Sequence, residues 1–420
     1  MTDNSNTYNP QLLKPTILTC GYTGSGKTSL IQGIFGNKTV PDCEISHSTP
    51  MTKDFVKYRN EFINIWDSRG FEASDDVKTF LQNQLERVIQ LQNTKDIDNQ
   101  IHVVWYTIQV SGGRVTEVDL YLIESIFTKV KNGIVVLTKT DQCSLKQLTE
   151  ITELLCNKGI DRENICPVFV YQEKNNNSSD IDETDRFDTF EIRKQKINYF
   201  VQKVRELRDK LGEKNDIDDF DEVDDVDKQI DKLRNLRQKL EKLKEKEKSR
   251  ELLFQLLNRT RTLMPKAYIE ALMDAQMLDL EAKKAKAQAV IHSSALSASF
   301  VATDPIPLQD SVFITGIQFA MIASLAAVYG LSRESVKVAA SPLLAQVVGP
   351  VAVTSLIKFV PILGSIAQFV VAGTLTEAVG QAVNSYFIKC CHAIINNEPP
   401  PSFILEDYQE FFKNLGNSEQ

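Results

Sequence analysis

The eight residues Gly21-Tyr22-Thr23-Gly24-Ser25-Gly26-Lys27-Thr28 constrain this chain more than any other feature. They follow an apolar, β-branched run, PTILTC (15–20), and precede SLIQGIF. A strand, a glycine-rich turn and a helix are therefore expected in succession. The glycines at 21, 24 and 26 let backbone N–H groups converge on an anion with no Cβ in the way. Lys27 is placed to bridge β- and γ-phosphate oxygens of a nucleotide, and the Thr28 hydroxyl to ligate Mg²⁺. Thr23, Ser25 and Ser29 complete the phosphate-contacting set. The helix starting near Lys27 aims its positive end at the same charge.

A phosphate loop does not name the base. Thr138-Lys139-Thr140-Asp141 does, at the end of the run GIVVLT and roughly 110 residues beyond Lys27. A carboxylate at 141 accepts from the two N–H groups on the Watson–Crick edge of guanine, a pair that adenine lacks, while the Lys139 stem lies along the purine face. Between the two motifs, Asp67-Ser68-Arg69-Gly70 follows the run FINIW and has the DxxG form. Its Asp67 is expected to hold Mg²⁺ through water, and its Gly70 N–H to reach the γ-phosphate. In Ser48-Thr49-Pro50-Met51-Thr52, Thr52 is the expected Mg²⁺- and γ-phosphate-sensing hydroxyl, with Thr49 as its rival. Lys27, Thr52 and Gly70 thus form the catalytic set, and Thr28, Thr52 and Asp67 the metal set. Phe71 follows Gly70, so no side chain there orients an attacking water, and slow hydrolysis of GTP is expected unless a partner or second copy completes the site. Arg69 reads as a solvent-facing residue or a cation for the developing charge. Arg114 reads as structural or dimer-surface, His47 as a bystander and His102 as structural. The base-contacting loop near Val170 or Tyr171 has no recognisable tripeptide.

Residues 15–212 alternate β-branched runs with helix-period stretches, the pattern of a doubly wound, mostly parallel α/β sheet. A polar tail (1–14) precedes them, and NNNSSDIDETD (175–185) reads as a surface insertion. From 213 to 285 the chain is highly charged: an acidic block, then Ile230, Leu233, Leu236, Leu240 and Leu243 at three-and-four spacing, a seam that fails at Glu247 and Arg250. This stripe packs either in cis or, over 226–260, as an intermolecular coiled coil. The net charge of −8 argues against a nucleic-acid partner. Seven cysteines without paired spacing and only four histidines argue against a zinc site. The N-terminus lacks a basic-then-apolar run, so a cytoplasmic setting is expected.

Residues 286–397 are different in kind, and a polar tail (398–420) follows them. Only eight full charges occur between 290 and 397, and 312–331 is an uncharged run of twenty. Such a run approaches the length that crosses a bilayer. Prolines and glycines interrupt the next stretch, which fits either a hairpin dipping into a membrane or a dry helical bundle. Membrane association through 312–376 and a soluble all-α bundle both stand. Cys390 and Cys391 are either ordinary thiols or S-acylation sites.

On these motifs, 15–171 resembles G domains of the Era/septin-like and immunity-related GTPase kind. SHSTPMTKDF and IHVVWYTIQVSGGRVTEVD are similar to bacterial members that carry a YcjF-like C-terminal domain. AVIHSSALSASFVATDPIPLQD, ITGIQFAMIASLAAVYGLSRESVK and KFVPILGSIAQFVVAG resemble that second domain. Two departures stand out: Ser68-Arg69 where the family usually has Thr-Pro, and Gln109 where a carboxylate is common. The resemblance implies a P-loop α/β GTPase with GTP/GDP and Mg²⁺, a charged helical linker and an apolar helical domain. A membrane-coupled nucleotide switch or mechanoenzyme is one expectation, with a possible homodimer through the G domain. A soluble regulatory GTPase whose helices bind a protein is another, and a P-loop ATPase is disfavoured by TKTD.

Overall fold

The structure, a computed structural model, describes residues 13–36, 55–59, 62–68, 76–95, 97–111, 115–171, 190–211, 226–301, 310–331, 368–395, 398–399, 401–404, 407 and 410–413. Thr49, Thr52, Arg69, Gly70, Phe71, His47, Arg114, the 175–185 insertion and the apolar stretch between 332 and 367 lie outside them.

Six strands form one sheet in the order β2-β3-β1-β4-β5-β6: β1 (Thr16–Gly21), β2 (Phe55–Arg59), β3 (Asn64–Ser68), β4 (Val103–Gln109), β5 (Gly133–Thr138) and β6 (Ile165–Pro167). The β1 strand runs parallel to β3 and β4, in registers that set Thr19 opposite Asp67 and Gly21 opposite Thr107. β5 and β6 are also parallel. Covered on both faces, the central strands read as unbroken apolar runs, and Val103, Val104, Trp105 and Tyr106 are completely buried. β2 pairs antiparallel with β3 and carries Lys57 and Arg59 at the sheet edge. Such charges protect an edge from further pairing, and they also hide the strand from an apolar pattern.

The crossover helices are α1 (Lys27–Phe35), α2 (Val77–Gln92), α3 (Glu117–Lys129) and α4 (Leu145–Asn157). Three starts are set by local side-chain chemistry. Asp76 caps α2 by accepting from Thr79 N at 2.9 Å, and Thr116/Asp119 and Ser144/Gln147 form reciprocal capping boxes on α3 and α4.

The described residues fall into two compact units that interleave along the sequence. One draws on 1–107, 115–134 and 260–420, the other on 108–114 and 135–259. In the second, α5 (Phe190–Leu211) packs on α6 (Val226–Leu263). Leu233, Leu236, Leu240 and Leu243 of the charged helix are buried against Ile197, Val201, Val204 and Leu207 of the same chain.

In the first unit the chain continues from Thr260 into α7 (Ile269–Ala275), α8 (Leu280–Val301), α9 (Asp310–Val328), α10 (Gln368–Ile395) and α11 (Glu410–Lys413). Most of the apolar run 312–331 forms α9, which buries Met321, Ile322 and Leu325 against α8 and α10 and leaves Phe319 exposed. Among the described residues no helix is long and apolar enough to cross a membrane. Cys390 and Cys391 are buried, their thiols pushed up to about 11 and about 12 chiefly by burial. Lys283 is also buried, and its Nζ donates to Asp274 O and Val328 O, both at 2.7 Å, which closes off the C-terminal ends of α7 and α9.

Candidate nucleotide site

At the end of β1 the backbone leaves the sheet through Gly21, φ 137°. A Cβ at this position would collide with Thr107 O and Oγ1, so both conformation and space demand glycine. Ser25 pins the other side of the loop, its Oγ 2.6 Å from Thr107 Oγ1, which in turn donates to Cys20 O at 2.8 Å. Gly26, in the left-handed region at φ 88°, is the N-cap of α1 and supplies no side-chain cap. With no acidic residue in that first turn either, the leading N–H groups and the dipole of α1 suit an external anion.

Lys27 lies against this loop, donating from Nζ to Tyr22 O at 2.9 Å and Gly21 O at 3.2 Å. Burial lowers its pKa, while Asp67 and Cys20 oppose the fall. Thr28 Oγ1 donates to Asp67 Oδ2 at 3.1 Å, and Thr19 Oγ1 to Asp67 Oδ1 at 2.8 Å. Burial raises the Asp67 carboxyl, and hydrogen bonds from Thr19 and Thr28 and the Lys27 charge hold it down. Thus Gly21, Gly24, Ser25, Gly26, Lys27, Thr28 and Asp67 meet within one compact unit, with Thr23 and Ser29 on the same loop and helix. Thr28 Oγ1 and the Asp67 carboxylate are hard oxygen donors side by side, a pair that fits Mg²⁺ when phosphate and water complete its shell.

The second unit contains the other motif. Thr138 ends the buried strand β5, and its Oγ1 donates to Ile108 O at 3.3 Å. Lys139 has φ 56°, the one positive φ outside glycine among the described residues. Holding a long side chain there costs about 1 kcal/mol or more, a strain that tends to mark functional turns. Its Nζ donates to Gln109 Oε1 at 2.8 Å. Gln109, which stands where a carboxylate is common, therefore still offers the lysine an oxygen. Asp141 sits exposed in the following single turn of 3₁₀ helix, Thr140–Gln142.

Sequence reasoning left the loop after β6 unassigned, and its support comes from far away. Buried Ser249 of α6 donates to Phe169 O at 2.7 Å and accepts from Tyr171 N at 3.0 Å. The failure of the leucine seam at Glu247 and Arg250 was the available signal, because between them Ser249 serves this loop. His102, expected to be structural, accepts from Thr16 N at 2.9 Å and packs its ring 3.9 Å from that of Tyr268. Burial pushes it down to about 4.

The model of the septin family matches residues 13–214. No curated protein matches the chain. Among solved structures, a probable GTP-binding protein EngB is similar at 16% identity and a TM-score of 0.27, over 37% of this chain and 88% of that one. The G domain of the T. maritima FeoB iron transporter is similar at 16% identity and 0.26, over the same shares. Residues 13–214, just under half of the chain, are thus similar to the septin family.

Proposed function

We propose that this protein is a Mg²⁺-dependent GTP switch with slow intrinsic hydrolysis, coupled to the helices beyond residue 260. The observation that carries this reading is the convergence of an uncapped helix start, the Lys27 ammonium and the Thr28–Asp67 oxygen pair at one loop. When phosphates arrive, Lys27 exchanges two backbone carbonyls for the β- and γ-oxygens, trading neutral acceptors for charged ones. Thr28 and Asp67 would hold Mg²⁺, which would supply positive charge against the phosphate oxygens. Thr52 and Gly70 are the proposed γ-phosphate sensors, and Phe71 leaves the attacking water without a side chain to orient it. Asp141 selects guanine, with Thr138 and Lys139 beside it.

Competition binding tests the core of this reading. GTP should displace a bound guanine nucleotide at concentrations where ATP does not. Asp141→Asn should transfer preference toward xanthosine nucleotides, since an amide presents one acceptor and one donor in place of two acceptors. Equal affinity for ATP and GTP in the wild type would exclude guanine selectivity.

The finer proposal is that the apolar C-terminal region, resembling a YcjF-like domain, associates with a membrane through 312–376. The uncharged run 312–331 and the exposed Phe319 support it. The full chain should float with liposomes and stay bound in high salt, because apolar attraction is not screened. Flotation that vanishes in salt, or does not occur, favours the second reading, a regulatory GTPase whose helices bind a protein. That reading rests on the absence, among the described residues, of a helix able to cross a bilayer.

A further inference from the structure

A tyrosine in the phosphate loop has a hydrogen-bond direction that can be worked out from its neighbours. Asp119, at the third position of α3, is buried, and its carboxylate only accepts. Its Oδ2 takes Thr116 N at 2.9 Å and Thr116 Oγ1 at 2.7 Å. Its Oδ1 takes the Tyr106 hydroxyl at 2.8 Å. The single proton of Thr116 Oγ1 is therefore committed to Asp119, and the same oxygen accepts from Asp119 N at 3.1 Å. Tyr22 Oη lies 3.1 Å from Thr116 Oγ1, and only the tyrosine has a proton left for that contact. Burial raises both phenols, which keeps Tyr22 and Tyr106 protonated as donors. The result is a one-way relay, Tyr22 to Thr116 to the Asp119 carboxylate, with the start of α3 helping to hold the terminal charge.

The backbone of Tyr22 gives this relay a consequence. Its carbonyl accepts from Ser25 N at 3.1 Å and from Lys27 Nζ at 2.9 Å. The side chain anchored on α3 thus belongs to the residue on which the phosphate-binding ammonium rests. Ser25 fixes one side of the loop to Thr107, and Tyr22 fixes the other to Thr116. Between them the space around Gly24 is open.

We propose that Tyr22 is a positioning residue for nucleotide phosphates: its hydroxyl, tied through Thr116 to buried Asp119, holds the loop and the Lys27 ammonium in the shape that accepts the β-phosphate. The proposal rests on the GTP-binding reading above and goes beyond the motif, in which this position is unspecified. The β-phosphate is common to GDP and GTP, so the tether serves both. It acts before chemistry, on affinity rather than on the turnover of bound GTP.

The test uses the full chain and a fluorescent N-methylanthraniloyl GDP, with the same label on GTP. Tyr22→Phe keeps the ring and loses the hydroxyl. It should weaken both nucleotides equally, by about three- to ten-fold, the worth of one hydrogen bond, with KM raised and kcat nearly unchanged. Thr116→Val should weaken binding to the same extent, and adding it to Tyr22→Phe should cost no more affinity. Thr116→Ser, which retains the hydroxyl, should keep wild-type binding. A Tyr22→Phe protein with unchanged affinity, or fully multiplicative losses in the double variant, overturns the positioning role while leaving the GTP reading intact. A wild-type chain that binds neither nucleotide overturns both.

Discussion

A buried lysine among the C-terminal helices shows how a single residue sets a pH dependence. Lys283 is lowered from 10.5 to about 8, with burial the largest cause. Cys391, Asp274 and Asp279 favour its charge and Lys286 opposes it. Between pH 8 and 10.5 the folded protein holds fewer protons than the unfolded chain, so stability rises with pH across that window. Below pH 8 the buried ammonium exacts its full cost, and the fall in pKa corresponds to roughly 3 kcal/mol. Once neutral, the amine still has two N–H groups for its two carbonyl partners, Asp274 O and Val328 O. The difference in unfolding free energy between wild type and Lys283→Met should therefore shift toward the wild type by up to roughly 3 kcal/mol from pH 7 to pH 10. A difference that stays flat would mean that Lys283 keeps its ordinary pKa in the folded protein.

Elements were legible wherever a local pattern encoded them, and illegible where distant partners did. The strands β1, β3, β4, β5 and β6 stood out as apolar runs because both faces of the sheet are covered. β2 was missed because an edge strand carries Lys57 and Arg59 in a short stretch. The motif residues were legible because a motif is a set of residue types at fixed spacing. Ser249, Lys283 and the Tyr22–Thr116–Asp119 chain did not, since each depends on pairs 45 to 94 residues apart. The leucine stripe of α6 left cis packing and an intermolecular seam both open, and the described contacts place Leu240 and Leu243 against Val204 and Leu207 of the same chain. An intermolecular seam through these residues would first have to displace α5. Leu240→Ala should accordingly cost about 2–4 kcal/mol of stability to chemical denaturation, without protein-concentration dependence. A midpoint that rises with concentration in the wild type and not in the variant would show that the stripe is an intermolecular contact.

At the scale of the whole molecule, the segment that matches the septin family and the segment that folds as a compact unit are not the same. The match ends at 214, whereas one compact unit joins β1 and α1 to residues beyond 260. Among the described residues, three contacts contribute to that join. Completely buried Trp105, stacked on Phe35, donates from Nε1 to Thr260 Oγ1 at 2.9 Å. His102 packs on Tyr268, and Met277 N donates to Ile34 O at 2.9 Å near the end of α1. α1 therefore faces the phosphate loop at its start and is held by the C-terminal helices near its end. A chain ended at residue 214 would lose the partner of the Trp105 indole N–H and the cover over His102, and would leave the Ile34 carbonyl without this donor. An unmet buried donor costs about 1–3 kcal/mol, and the lost apolar cover adds to that. Against a typical margin of about 5–15 kcal/mol, this is enough to loosen the fold. The shortened chain should melt well below the full protein, bind a hydrophobic dye, and hold guanine nucleotide more weakly even though every motif residue is present. Trp105 supplies the readout, because its fluorescence should shift to the red as the indole meets water. If the shortened chain keeps a sharp melting transition, a blue-shifted Trp105 and full nucleotide affinity, the G domain stands without the C-terminal helices and the three contacts carry no stability.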